Sequence, residues 1–165
     1  DLVRSRGLGD VYKRQDTTTT EAPTTEAPTT EAPTTEAPVT EAPTSDLGQQ
    51  IANFACQFVG NPYVWGGTSL TNGADCSGFV QSVYKNFGYS LPRTCTPQSN
   101  AGTAVSLAAL APGDLVFYDH GTGSCEHVGI YIGNGQIVHA SSSRTGIKIS
   151  NVNYSTPFKA CRIVN

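Results

Sequence analysis

Cys76 stands at the first position of a segment in which Phe79, Val80, Val83, Tyr84 and Phe87 recur at helical spacing, so the sequence puts its sulfur at a helix N-terminus. Unpaired backbone N–H groups and the positive end of the helix dipole favour a thiolate there. Asp75 and Ser77 flank the cysteine, and Gly78 is expected to keep the first turn slim enough for a substrate to approach. The competing reading is a small buried hydrophobe. Of the chain's three histidines, His127 and His139 fall on adjacent predicted strands around Gly133-Asn134-Gly135. A thiol at a helix start facing a strand imidazole is a nucleophile with its general base, and a third polar group can hold the imidazole in one tautomer. Cys76, His127 and His139 fill those three roles. His120, in the glycine-rich run after Asp119, reads as a solvated side chain.

The histidine pair makes a geometric demand. A two-residue Asn134-Gly135 loop, with the register continuing from it, turns the two imidazoles to opposite faces of the sheet. A three-residue loop with Gly135 in the left-handed conformation sets His139 opposite Gly129, one same-face step from His127. Cooperation between the histidines requires the second register.

The elements that must carry these groups are legible as patterns. Apolar residues at Leu47, Ile51, Phe54, Ala55, Phe58 and Val59 predict a first helix, with Asp46 as cap, Gln49 at the capping-box position and Gly60 as stop. A turn-rich loop, Asn61-Pro62-Tyr63-Val64-Trp65-Gly66-Gly67, leads to the Cys76 helix, which Gly88 closes. After Pro112-Gly113 the pattern changes to strands at 114–118, 127–132, 136–140, 147–152 and 158–164. Helices first and an antiparallel sheet second define an α+β domain.

Charge divides the chain sharply. Residues 1–15 hold four basic and two acidic side chains, residues 16–46 seven acidic and none basic, and the rest six basic against four acidic. The globular part is only mildly cationic, too weakly so for nucleic-acid binding. No run of about 18 apolar residues exists, so no membrane span is expected. Residues 1–15 lack the apolar core of a signal peptide and read as a leader foreign to the rest of the chain. Residues 16–45 repeat E-A-P-T-T, where regular proline and negative charge predict an extended, disordered spacer of the kind found in secreted and surface proteins. Residues 46–165 form the one predicted domain, with a monomer as the default.

The five cysteines, Cys56, Cys76, Cys95, Cys125 and Cys161, include no close C-x-x-C pair, which argues against a zinc knuckle. Cys95 and Cys125 both fall near the groove and could join as a disulfide at its rim, the alternative being two separate thiols. Cys56 and Cys161 belong to apolar runs and read as core.

The runs Pro62-Tyr63-Val64-Trp65-Gly66-Gly67, Asp75-Cys76-Ser77-Gly78-Phe79-Val80, Leu91-Pro92-Arg93-Thr94, Gly113-Asp114-Leu115-Val116-Phe117 and His127-Val128-Gly129-Ile130-Tyr131-Ile132-Gly133 resemble, in order, the NlpC-type cell-wall endopeptidases. The resemblance spans nearly all of 47–165. It implies a papain-like domain, N-terminal helices packed on a five- to six-stranded antiparallel sheet. It implies hydrolysis of the γ-D-glutamyl–diamino acid bond of peptidoglycan stem peptides, without cofactor or metal, by a secreted or wall-associated bacterial protein. It also implies Tyr63 beside the nucleophile as an oxyanion donor, and Asp75, Ser77 and Arg93 along the substrate groove. Against these stand plainer roles: packing aromatics for Tyr63 and Trp65, a solvated charge for Arg93, a turn cap for Asp114. An amidase or acyl-transferase of the same fold, a non-catalytic wall-binding module and a zinc site built on Cys76, His127 and His139 are the competing functions.

Overall fold

The computed structural model describes residues 46–165; the leader at 1–15 and the repeat at 16–45 lie outside the described residues. Helix α1 (Asp46–Cys56) turns Ile51, Ala52 and Ala55 inward. Its start departs from the expected capping box: Asp46 is already helical and accepts from the Gln50 amide, while Gln49 donates to Asn53 four residues on. Side-chain pairing along the exposed face has replaced the reach back to the cap. The helix also ends earlier than its apolar pattern. Gln57, Phe58 and Val59 continue through i−3 bonds to Gly60, whose φ of 95° turns the chain and sends its N–H to the Ile147 carbonyl.

A two-stranded ribbon, β1 (Thr68–Ser69) and β2 (Gly73–Ala74), leads into α2 (Cys76–Lys85). Next come the short helix α3 (Cys95–Gln98) and six strands: β3 (Thr103–Val105), β4 (Leu115–Tyr118), β5 (His127–Gly133), β6 (Gln136–Ser142), β7 (Gly146–Asn151) and β8 (Pro157–Arg162). These strands form one antiparallel sheet in the order β3-β8-β4-β5-β6-β7. The α+β class and the sheet expected from the sequence are therefore observed, with β3 the edge strand that no long apolar run announces.

The helices cover one face of the sheet. Ile51, Ala55, Phe79, Val80, Val83 and Tyr84 pack on Leu115, Phe117, Val128, Ile130, Val138 and Ala140. Val116, Tyr118, Ile137 and Val152 form a smaller cluster on the other face, so β4 is buried on both sides. Several buried polar groups in this frame are paired, as their desolvation demands, although Gln98 Oε1 is buried without a partner. Tyr84 Oη donates to the Gly113 carbonyl and Tyr118 Oη to that of Val152. Asp114 accepts the Ala111 N–H and pairs with Arg162 at 2.7 Å, a turn and strand anchor remote from the groove. Among the described residues no helix is long and apolar enough to cross a membrane.

The β5–β6 turn sets the histidine register by a different route from the expected one. Gly133 pairs with Gln136 across a two-residue turn in which Asn134 and Gly135 both have positive φ, 53° and 69°. Asn-Gly suits such a turn because its backbone twist matches that of the strands. The register then slips by one between Gly133 and Tyr131, so that Tyr131 faces Ile137 and Ile130 faces Val138. A tight turn followed by a bulge thus replaces the three-residue loop and restores the register it would have set. His127 and His139 share a face. A side chain at Gly129 would come within 2.8 Å of Ile137 Cδ1 and 3.3 Å of His139 Cβ, so adding one would force Ile137 and the His139 side chain to shift.

Candidate active site

Asp75 organises the Cys76 end of the groove. It is the N-cap of α2: Oδ1 accepts the Gly78 N–H at 2.7 Å, and Oδ2 accepts the Gly66 N–H at 3.0 Å. Arg93 grips the same carboxylate with both terminal nitrogens, at 3.0 and 2.7 Å, and reaches Ser77 Oγ at 3.1 Å. Burial raises the Asp75 carboxyl, but Arg93 and the two N–H groups outweigh it and hold the group below its ordinary range. One carboxylate therefore ties together the Gly66 loop, the first turn of α2 and the Arg93 segment. Asp75, Ser77 and Arg93 do line the groove with Tyr63 and Cys76, but the Asp75 oxygens are already engaged.

Gly78 serves a different end from the one its position suggested. It faces the Gly67 carbonyl, and a methyl group there would press on that carbonyl and on Asp75 Oδ1. Its bareness lets the Tyr63–Gly67 loop dock on the helix, with the Asp75 N–H donating to Gly67 O at 3.1 Å. Gly78→Ala gains about 1 kcal/mol of helix propensity. Overpacking against rigid backbone and disturbing the cap cost more, so a net loss of about 2 kcal/mol is expected, read as a lower urea midpoint at unchanged slope.

Cys76 Sγ sits at the mouth of β5, 3.9 Å from the Glu126 carbonyl, with the Val128 N–H also directed toward it. Those two groups flank His127 in sequence, and Cys76 and His127 line one groove of about 490 Å³. His127 Nε2 lies 2.6 Å from His139 Nδ1, and His139 Nε2 lies 2.9 Å from Ser150 Oγ. His139 occupies Nε2, so Nδ1 is the His127 ring nitrogen not engaged with His139. His139 is fully buried and His127 nearly so.

The electrostatics correct one expectation. Burial, and then the Asp75 charge, push the Cys76 thiol above its ordinary range; the N–H groups of Val128, Ser77 and Cys76 itself pull the other way and lose. Burial also holds both imidazoles well below their usual range, aided at His127 by His139 and His120, and at His139 by Lys148. The resting site is a neutral thiol beside neutral imidazoles. The helix terminus alone does not ionise the sulfur, because burial, and after it the carboxylate that caps α2, oppose the charge.

Cys95 and Cys125 form a disulfide, joining the start of α3 to the residue two before His127, and both line the groove. Cys161 is buried, and Cys56 packs against the core. Tyr63 is half-buried, its hydroxyl held protonated by burial, by Cys76 when that thiol is ionised, and by the Asp75 charge, with Arg93 opposing. Trp65, 87% exposed, stands on the rim and packs beneath nothing, contrary to its expected role as a packing aromatic. Three neighbours of the histidines carried little signal. Ser150 is a polar residue of the predicted strand 147–152 and Tyr154 lies in the turn-like stretch after it, yet Ser150 Oγ reaches His139 and the Tyr154 ring comes within 5.1 Å of it. His120 is exposed as expected, but its ring lies 6.3 Å from that of His127.

A helix-tip cysteine, a strand imidazole and a second imidazole behind it, on helices packed against an antiparallel sheet, make up the papain-like class of thiol hydrolase architecture. Residues 60–164 match the model of the NlpC/P60 family, and the chain belongs to that family. It is 42% identical over 105 residues to a gamma-D-glutamyl-L-lysine dipeptidyl-peptidase of Bacillus cereus, covering 62% of this chain and 31% of the relative. It is 47% identical over 111 residues to a gamma-DL-glutamyl hydrolase of Bacillus subtilis, covering 66% of this chain and 26% of that protein. The chain thus spans less than a third of the length of these curated relatives. The crystal structure of the NlpC/p60 domain of peptidoglycan hydrolase SagA superposes with a TM-score of 0.64 at 36% identity, over 70% of this chain and 98% of that one.

Proposed function

We propose that residues 46–165 hydrolyse the γ-D-glutamyl–diamino acid bond of peptidoglycan stem peptides by thiol catalysis, outside the cell or at the wall. The observation that carries this is the hydrogen-bonded His127–His139 pair, with His127 lining the same groove as Cys76. The γ-glutamyl specificity of the two curated relatives supports the choice of bond. The exposed third of the Arg93 side chain offers a cation to the free α-carboxylate that a γ-linked glutamate retains.

Each residue then has a step. As Cys76 Sγ attacks the γ-carbonyl carbon, its proton passes to His127 Nδ1. The developing oxyanion meets the Cys76 backbone N–H and the Tyr63 hydroxyl, each worth about 10²–10³ in rate where such donors have been removed. The C–N bond breaks as His127 returns the proton to the leaving amine. Water, deprotonated by His127, releases the glutamyl carboxylate from the thioester and restores the thiol. His139 Nδ1 accepts from His127 Nε2–H throughout.

Mass spectrometry of purified peptidoglycan after digestion tests the reading. New diamino-acid amines and new γ-D-glutamyl α,γ-dicarboxylates are expected. Release of lactyl-linked amino sugar from intact stem peptides would instead identify an amidase, and adsorption without cleavage a binding module.

A further inference from the structure

We propose that Ser150 is a positioning residue for the catalytic histidines, a role that rests on the proposed thiol hydrolysis. The side chains form a line: His127 Nε2 to His139 Nδ1 at 2.6 Å, then His139 Nε2 to Ser150 Oγ at 2.9 Å. The line can be polarised in two directions. In the forward one, His127 Nε2–H donates to His139 Nδ1, and His139 Nε2–H donates to Ser150 Oγ. In the reverse one, Ser150 donates to His139 Nε2, His139 Nδ1–H donates to His127, and the His127 proton sits on Nδ1.

Only the forward direction leaves a lone pair at His127 Nδ1 for the Cys76 proton. Once His127 is an imidazolium its Nε2–H must donate, so His139 must accept at Nδ1 and carry its own proton at Nε2. That proton needs an acceptor, because His139 is fully buried and an orphaned N–H is costly. Lys148, directly across the β6–β7 pair from His139, bears only donors, and Tyr154 meets the imidazole through its ring, 5.1 Å away. Ser150 lies one same-face step beyond Lys148 on β7 and supplies an oxygen. It touches neither the sulfur nor the groove, and it acts through His139.

The test uses the full chain labelled with ¹⁵N-histidine, whose three imidazoles make the ring spectrum assignable. Wild type is expected to show His139 protonated at Nε2, and Ser150→Ala a mixture of tautomers. Ser150→Ala should lower kcat on a γ-D-glutamyl stem peptide about 10- to 100-fold, the value of a lost hydrogen bond to a charged system, with KM unchanged. Ser150→Thr, which keeps the acceptor, should restore both. A His139 proton at Nδ1 in wild type, or an alanine variant with wild-type tautomer and kcat, overturns the proposal. The tautomer is read without any substrate, so an inactive protein would count against the proposed reaction, while the role of Ser150 would still be decided by the spectrum.

Discussion

Cys76→Ala is expected to lower cleavage of a γ-D-glutamyl stem peptide at least about 10⁴-fold, while unfolding free energy changes by less than about 1 kcal/mol. Both halves follow from position. No other sulfur can substitute: Cys95 and Cys125 are consumed by their disulfide, Cys161 is buried in the sheet, and Cys56 is on α1. The cap of α2 is Asp75, whose bonds to Gly78, Gly66 and Arg93 make no use of the sulfur, so its loss leaves the helix terminus intact. The expected residue of activity is what the oxyanion donors and groove supply by binding alone. Rates come from the release of diamino-acid amine, stability from urea unfolding, and retained adsorption to purified wall shows that the groove persists. A variant that cleaves within tenfold of wild type would remove Cys76 from the chemistry.

Most of the scaffold was readable because its patterns are local. The α2 stripe at Phe79, Val80, Val83 and Tyr84, and the alternation along β4 to β7, record burial at periods of 3.6 and 2, which burial itself imposes. Register was readable only as a condition. The sequence showed that His127 and His139 had to share a face, but whether the extra residue enters the turn or a bulge is decided by the twist that Asn134-Gly135 prefers. Protonation was not readable: position at a helix tip argues for a thiolate, whereas burial and the Asp75 charge depend on the whole surrounding fold. Ser150 and Tyr154 were invisible for a related reason. A lone serine on a predicted strand and a tyrosine in the turn after it carry no chemical signal, and only the pairing of β6 with β7 and the turn that follows bring them to the histidines.

His127→Ala is expected to reduce turnover about 10³-fold while barely changing how fast iodoacetamide alkylates Cys76 in the free protein near neutral pH. A preformed ion pair would behave otherwise: removing its imidazole would raise the thiol pKa and slow alkylation sharply. Here the thiol already lies above its ordinary range and the imidazole below its own, so the resting sulfur owes His127 little. The wild-type alkylation rate should accordingly keep rising through the alkaline range, without an acidic plateau. The same displacement has a consequence for stability, and its sign is fixed. The folded pKa of His127 lies below the unfolded value near 6.5, so as the pH falls through 6.5 the unfolded chain takes up a proton that the native site refuses. Stability is therefore lost on acidification by up to about 1.4 kcal/mol per pH unit for this group, and His127→Ala should flatten that slope. An acid-side stability slope unchanged by the substitution, together with alkylation that collapses on loss of the imidazole, would mean that the resting site is an ion pair after all. The burden of catalysis would then shift from proton transfer during attack to a thiolate made in advance.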